Sequence, residues 1–234
     1  MGMASVIVLA LDTPDLAEAR ALAVATRDTV GLVKVGLELF SAHGPEAVRA
    51  LRADGHQVML DLKLHDIPAT IGRTVASLAP LGAELLTVHA GGGAAMLAAA
   101  VEAAGPTRIA AVTVLTSLGP EDLAALGLDD AAGAAVRLTR LALESGCQAV
   151  ICSPQEVARL RTLAGPAVTI ICPGVRPAAH VLGSDDQARV ATPQAALAAG
   201  ADLLVVGRPI TQAPDPAAAA AAIDAEIRTA EASW

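Results

Sequence analysis

The sequence predicts an α/β fold, a closed (β/α)8 barrel of the TIM type forming one domain over residues 1–234. Short Val-, Ile- and Leu-rich runs alternate with helical patterns eight times along the chain. No long linker divides the 234 residues, a length that single barrels commonly have. Polar and charged side chains gather where the apolar runs end, the rim on which barrels carry their sites. A doubly wound open sheet is the alternative, and no Gly-x-Gly-x-x-Gly follows the first strand to support its dinucleotide-binding version.

Ser5 to Leu11 is a continuous apolar run, as expected for a parallel strand buried on both faces, and Asp12 ends it. Thr13-Pro14-Asp15 starts a helix that runs to Thr26. Leu32 to Gly36 is a second strand carrying Lys34, and a helical pattern follows from Leu37 to Ala53. Gly55 precedes a third strand from Val58 to Asp66, and Pro68 opens a helix that ends at Gly82. Leu85 to Ala90 is the fourth strand, with a helix from Ala94 to Ala104. Arg108 to Leu115 is the fifth, followed by a short helix from Pro120 to Leu126 and a longer one from Ala131 to Ser145. Ala149 to Cys152 and its helix Pro154 to Leu163 come next, then a seventh strand from Val168 to Cys172. Pro177 to Ala191 has no period and reads as a functional loop. A helix from Pro193 to Ala199, an eighth strand from Leu203 to Val206 and an Ala-rich helix from Pro216 to Ala230 complete the pattern.

Composition narrows the function. Hydrophobic residues make up 54% and charged residues 17%, which implies a large core and excludes disorder. The net charge of -8 is spread without a basic run, so neither nucleic acid nor an anionic membrane is an expected partner. No apolar run reaches the ~20 residues of a membrane span, and a charged leader is missing from the start. Cys147, Cys152 and Cys172 lack zinc or CxxC spacing, which suits free thiols in a reducing cytoplasm.

The most informative stretch is Asp61-Leu62-Lys63-Leu64-His65-Asp66-Ile67-Pro68. The period of two puts Asp61 and Lys63 on one face of a strand and Leu60, Leu62 and Leu64 on the other. Burying such charges unpaired would cost roughly several kcal/mol each, so they must pair or border a wet cavity. In a barrel, consecutive strands lie side by side about 4.8 Å apart. Asp12, Lys34, Asp61 and Lys63 therefore converge as charges of alternating sign on one rim, with Asp12 or Asp66 balancing the far side. This array suits a reaction in which negative charge develops on carbon and a lysine ammonium supplies a proton. Flanking carboxylates favour the ammonium and argue against an imine-forming lysine. His65 and His89 read as structural, since no Ser or Cys nucleophile elbow accompanies them.

A second constellation follows the last two strands. Arg176 comes after Pro173-Gly174 and Arg208 after Gly207, where barrels commonly bind phosphate through backbone N–H groups, helix N-termini and arginine forks. A small phosphorylated substrate is expected. Gln187 in the intervening loop would close over it, and Thr116 at the end of the fifth strand would hydrogen-bond a polar ring.

Asp61-x-Lys63-x-x-Asp66-Ile67-Pro68 resembles the signature of the orotidine 5'-phosphate decarboxylases, in their shorter bacterial form, the type 1 subfamily. The resemblance extends through Ala10-Leu11-Asp12, Val33-Lys34-Val35-Gly36, Leu86-Thr87-Val88-His89-Ala90, Val114-Leu115-Thr116-Ser117, Pro173-Gly174-Val175-Arg176, Asp186-Gln187 to Thr192-Pro193, and Val206-Gly207-Arg208-Pro209-Ile210. It implies a cytoplasmic, cofactor-free and metal-free homodimer with shared sites that converts orotidine 5'-monophosphate to UMP, the last step of pyrimidine synthesis. By that similarity Lys63 protonates C6, Asp61 sits near the departing carboxylate, and Lys34 completes the charge chain. Asp66, Ile67 and Thr70 would reach the partner's site. Asp12 and Lys34 would hold ribose hydroxyls, Thr116 the pyrimidine, and Arg176, Gln187, Gly207 and Arg208 the phosphate. The stretch between Arg176 and Gln187 is slightly longer than the family's usual spacing. Magnesium-dependent keto-gulonate phosphate decarboxylases and hexulose phosphate synthases share Asp-x-Lys-x-x-Asp, but typically carry a glutamate metal ligand where this chain has Lys34. A non-catalytic barrel would require the whole charge array to be vestigial.

Overall fold

The computed structural model describes residues 5–128, 130–176 and 191–231. Its elements run β1 (Ile7–Ala10), α1 (Leu16–Ala25), β2 (Leu32–Val35), α2 (Leu37–His43), α3 (Pro45–Ala53), β3 (Val58–Leu64), α4 (Pro68–Leu78) and β4 (Leu85–His89). They continue with α5 (Ala94–Ala103), β5 (Arg108–Val112), α6 (Pro120–Ala125), α7 (Ala131–Glu144), β6 (Ala149–Ile151), α8 (Val157–Ala164) and β7 (Thr169–Cys172). The last four are α9 (Pro193–Ala198), β8 (Leu203–Val206), α10 (Arg208–Thr211) and α11 (Pro216–Glu231). The eight strands close in sequence order into a parallel barrel, β8 pairing back onto β1 through Val8 and Val205. The expected (β/α)8 architecture is therefore present.

The strands are apolar on both faces because two cores need them. Ile7, Leu9, Val33, Leu60 and Leu86 pack outward against Leu39, Leu51, Ile71, Leu97 and Ile223 of the helices. Val8, Leu32, Met59, Leu85, Ile151 and Ile171 point inward and fill the barrel. Each such side chain, taken from exposed to buried, contributes roughly 1.5–3 kcal/mol. Toward the C-terminal ends of the strands the inward positions become short or polar: Ala10, Lys34, Asp61 and Thr87. The filling stops there and a cavity opens.

Several boundaries differ from the sequence expectation. The single helix expected over Leu37 to Ala53 is two, broken where Gly44 takes φ 57° ahead of Pro45. Proline has no N–H to continue the ladder and clashes with a helical residue before it, and glycine alone takes the left-handed turn freely. The third strand ends at Leu64 rather than Asp66, and the fifth at Val112 rather than Leu115, so the polar residues beyond them stand on rim loops. The helix expected from Pro154 begins at Val157, because Glu156 Oε2 accepts the Ser153 N–H at 2.9 Å and holds a turn first. Arg208–Thr211 forms an extra helical turn that strand and loop patterns did not reveal. The loop expected over 177–191 lies outside the described residues except at Ala191, which bridges to Val175.

Candidate active site

The cavity at the C-terminal end of the barrel measures about 580 Å³, within the range of small-molecule sites. Asp12, Lys34, Asp61 and Lys63 line one side, Thr116 another, and Arg176, Gly207 and Arg208 the end nearest β7 and β8. The two constellations separated in sequence thus share one space.

The charge array is continuous. Lys34 Nζ donates to Asp12 Oδ1 at 3.0 Å and stands 3.5 Å from Asp61 Oδ2. The same Oδ2 accepts from Lys63 Nζ at 2.7 Å. β1, β2 and β3 are adjacent, with Ala10 beside Lys34 and Lys34 beside Met59, so inward side chains from three strands meet at one height. Asp61 is 6% exposed and Lys34 8%, whereas the side chains of Asp12 and Lys63 reach solvent. Burial pushes the Asp61 carboxyl up, but the ammonium groups of Lys34 and Lys63 and hydrogen bonds from Lys63 and Thr87 outweigh it, holding the carboxyl below its ordinary value. Asp61 is a fixed anion between two cations.

Lys63 has φ 47°, the one positive value at a non-glycine among the described residues. Such a backbone costs about 1–2 kcal/mol for an L-residue. The β3–β4 register shifts between Leu60 and Leu64 around it. This bend turns the Lys63 side chain back over Asp61, so the pair shares a face as the period of two suggested, though not by regular strand geometry.

At the opposite end, Arg176 is 9% exposed, and burial lowers its pKa from the usual guanidinium value, a direction that leaves an arginine cationic. Arg208 opens α10, immediately after Gly207. Gln187 lies outside the described residues. Asp66, Ile67 and Thr70 are not brought into this cavity. They stand at the start of α4, with Ile67 66% exposed and the Asp66 carboxylate accepting the Ile67 N–H at 2.6 Å.

His65 and His89 lie with ring centroids 5.4 Å apart outside the cavity lining. Burial lowers the His89 pKa. All three cysteines are buried and outside any disulfide, and burial raises the thiols of Cys147 to about 11 and Cys172 to about 12, out of the reactive range. Among the described residues no group of three or more His, Cys, Asp or Glu is placed to hold a metal ion.

Two residues of this region were not singled out in the sequence. Thr87 on β4 donates its hydroxyl to Asp61 Oδ1 at 2.9 Å and accepts the Lys63 N–H at 2.8 Å. The signal was there: two residues after the inward Leu85, a polar residue on a buried strand must face the barrel interior. Gln212, four residues after Arg208 and one turn along α10, also lines the cavity.

The chain is similar to known proteins over nearly its whole length. The chain is 58% identical over 233 residues to an orotidine 5'-phosphate decarboxylase of Thermobifida fusca, covering 99% of both chains. It is 57% identical over 223 residues to one of an Anaeromyxobacter species, covering 94% of this chain and 97% of the relative. The crystal structure of orotidine 5'-phosphate decarboxylase from Lactobacillus acidophilus superposes with a TM-score of 0.80 at 35% identity, over 94% of this chain and 98% of that one. A sequence model described as the orotidine 5'-phosphate decarboxylase / HUMPS family matches residues 5–223, and the chain belongs to that family.

Proposed function

We propose that this protein decarboxylates orotidine 5'-monophosphate to UMP, with Lys63 as the proton donor and no cofactor. The observation that carries the reading is Asp61 Oδ2 shared between Lys63 at 2.7 Å and Lys34 at 3.5 Å, facing a cavity whose far end holds two arginines. Arg176, Arg208 and the Gly207 backbone suit the phosphate, and Gln187 is the further residue assigned to it. Thr116 meets the pyrimidine, and Asp12 with Lys34 the ribose. In this reading the pyrimidine C6 faces Asp61 and Lys63.

The reaction then runs without an external electron acceptor. The bond from C6 to the carboxylate breaks, carbon dioxide leaves, and its electron pair stays on C6. Lys63 Nζ gives a proton to C6 and is reprotonated from solvent. The ammonium beside C6 stabilises the charge that develops there, and Asp61 holds that ammonium in line while Lys34 prevents Asp61 from swinging away. Binding energy from the phosphate end is what holds the departing carboxylate beside Asp61.

We read the whole chain as one catalytic domain and the enzyme as a cytoplasmic homodimer with shared sites. Asp66 and Ile67 are exposed beside the strand end that carries Lys63, which suits delivery of Asp66, Ile67 and Thr70 to a second subunit. No helix among the described residues is long and apolar enough to cross a membrane.

A magnesium-dependent sugar-phosphate reaction is the second reading, which the breadth of the family keeps in view. Lys34 speaks against it, since its ammonium stands 3.5 Å from the carboxylate that a metal would need. An ultraviolet assay following loss of orotidine 5'-monophosphate in the presence of EDTA separates the two. Full activity is expected, and abolition by the chelator would transfer the site to the magnesium branch.

A further inference from the structure

We propose that Thr87 is a positioning residue for the reaction, using one hydroxyl to hold both the proton donor's backbone and the carboxylate that aligns it. Thr87 is fully buried on β4, beside β3 at the height of the charge array. It is not itself among the residues that line the cavity, so it acts through Asp61 and Lys63, which are.

Where Lys63 takes φ 47° and the register slips, regular ladder pairing to β4 is interrupted, yet the Lys63 amide sits in the barrel wall and needs an acceptor. Thr87 Oγ1 provides it at 2.8 Å. Having accepted there, the hydroxyl has a single proton to give, and Asp61 Oδ1 takes it at 2.9 Å. The direction of both bonds is therefore settled. Asp61 Oδ1 belongs to Thr87 and Oδ2 to the two lysines, so the carboxylate plane cannot turn without breaking a charge-assisted bond. The same hydroxyl supports the left-handed residue that puts Nζ over Oδ2, a conformation that persists only where its surroundings over-determine it.

This assignment rests on the decarboxylase reading for its kinetics but not for its geometry, and the test has one arm for each. Thr87→Val keeps the shape and removes the hydroxyl; Thr87→Ser keeps the hydroxyl and removes the methyl. Circular dichroism and melting first establish that both variants fold. With orotidine 5'-monophosphate, Thr87→Val is expected to lose about 10- to 100-fold in kcat, the loss of one hydrogen bond to a buried charge. KM should stay within about threefold because the phosphate end is untouched, and Thr87→Ser should recover most of the rate. In the second arm, hydrogen exchange at the Lys63 amide, followed by nitrogen-15 NMR, should be faster in Thr87→Val and near wild type in Thr87→Ser. Unchanged kcat in Thr87→Val, equal losses in both variants, or a rise in KM alone would each overturn the assignment. A wild-type chain inert toward this substrate would sink the decarboxylase reading instead, and Lys63 amide exchange unaltered by Thr87→Val would still overturn the Thr87 one.

Discussion

Lys63 Nζ and Asp61 Oδ2 are 2.7 Å apart although the backbone joining the two residues passes through the left-handed region at Lys63. The strand gives up its regular pairing so that the donor can lie over its carboxylate. Strain of this kind is a stability cost located at the reacting group, and it can be measured there.

Lys63→Ala should abolish most turnover, at least about 100-fold in kcat, as expected for loss of a general acid. It keeps the strained backbone. Lys63→Gly should be equally inactive yet more stable than Lys63→Ala by about 1 kcal/mol in urea unfolding, because glycine takes φ 47° without a Cβ penalty. Equal stabilities would show that the bend carries no strain.

The buried carboxyl predicts a pH dependence of stability. Asp61 has a folded pKa below its unfolded value of about 3.9. The unfolded chain therefore binds this proton more readily, and the contribution of Asp61 is fully present above that pH and lost as the pH falls through the folded value. Asp61→Asn should be less stable at pH 7, where two ammonium groups lose their shared anion, and should show a shallower loss as the pH falls below about 4. Denaturant unfolding at a series of pH values checks this, and parallel curves for the two proteins would contradict it.

Gly36 reports on the Asp12–Lys34 pair. A Cβ built there would stand 3.0 Å from Lys34 Nζ and 3.3 Å from Asp12 Oδ1. Gly36→Ala should push the ammonium off Asp12 and weaken ribose binding, raising KM more than it lowers kcat, with little effect on melting temperature. A KM equal to wild type would mean that Lys34 adjusts without consequence for the substrate.

The shared-site reading makes a quantitative prediction for hybrids. Lys63→Ala and Asp66→Asn should each be inactive, but after subunit exchange one site of a hybrid dimer is intact. Random mixing makes half of the dimers hybrid, so roughly a quarter of wild-type activity should return. No recovery, with exchange confirmed by mass spectrometry, would place Asp66 outside the reaction.

The alternation of strands and helices is legible from the residues alone, because strands buried on both faces must read as continuous apolar runs and any charge within them stands out. Asp12, Lys34, Asp61 and Lys63 were legible for that reason, and Arg176 and Arg208 by their place after the last two strands. The helix break at Gly44-Pro45 is equally written in the residues, against an apolar periodicity that continues across it. Which oxygen of Asp61 meets which lysine emerges from the folded barrel, because it depends on the register of β2, β3 and β4 and on the bend at Lys63, which no local pattern encodes. The folded barrel also brings Thr87 into the array and leaves Asp66, the sixth residue of the same motif, outside the lining of this chain's cavity. A strand period tells which side a residue faces, whereas a hydrogen bond between strands depends on how far one has slipped along the other.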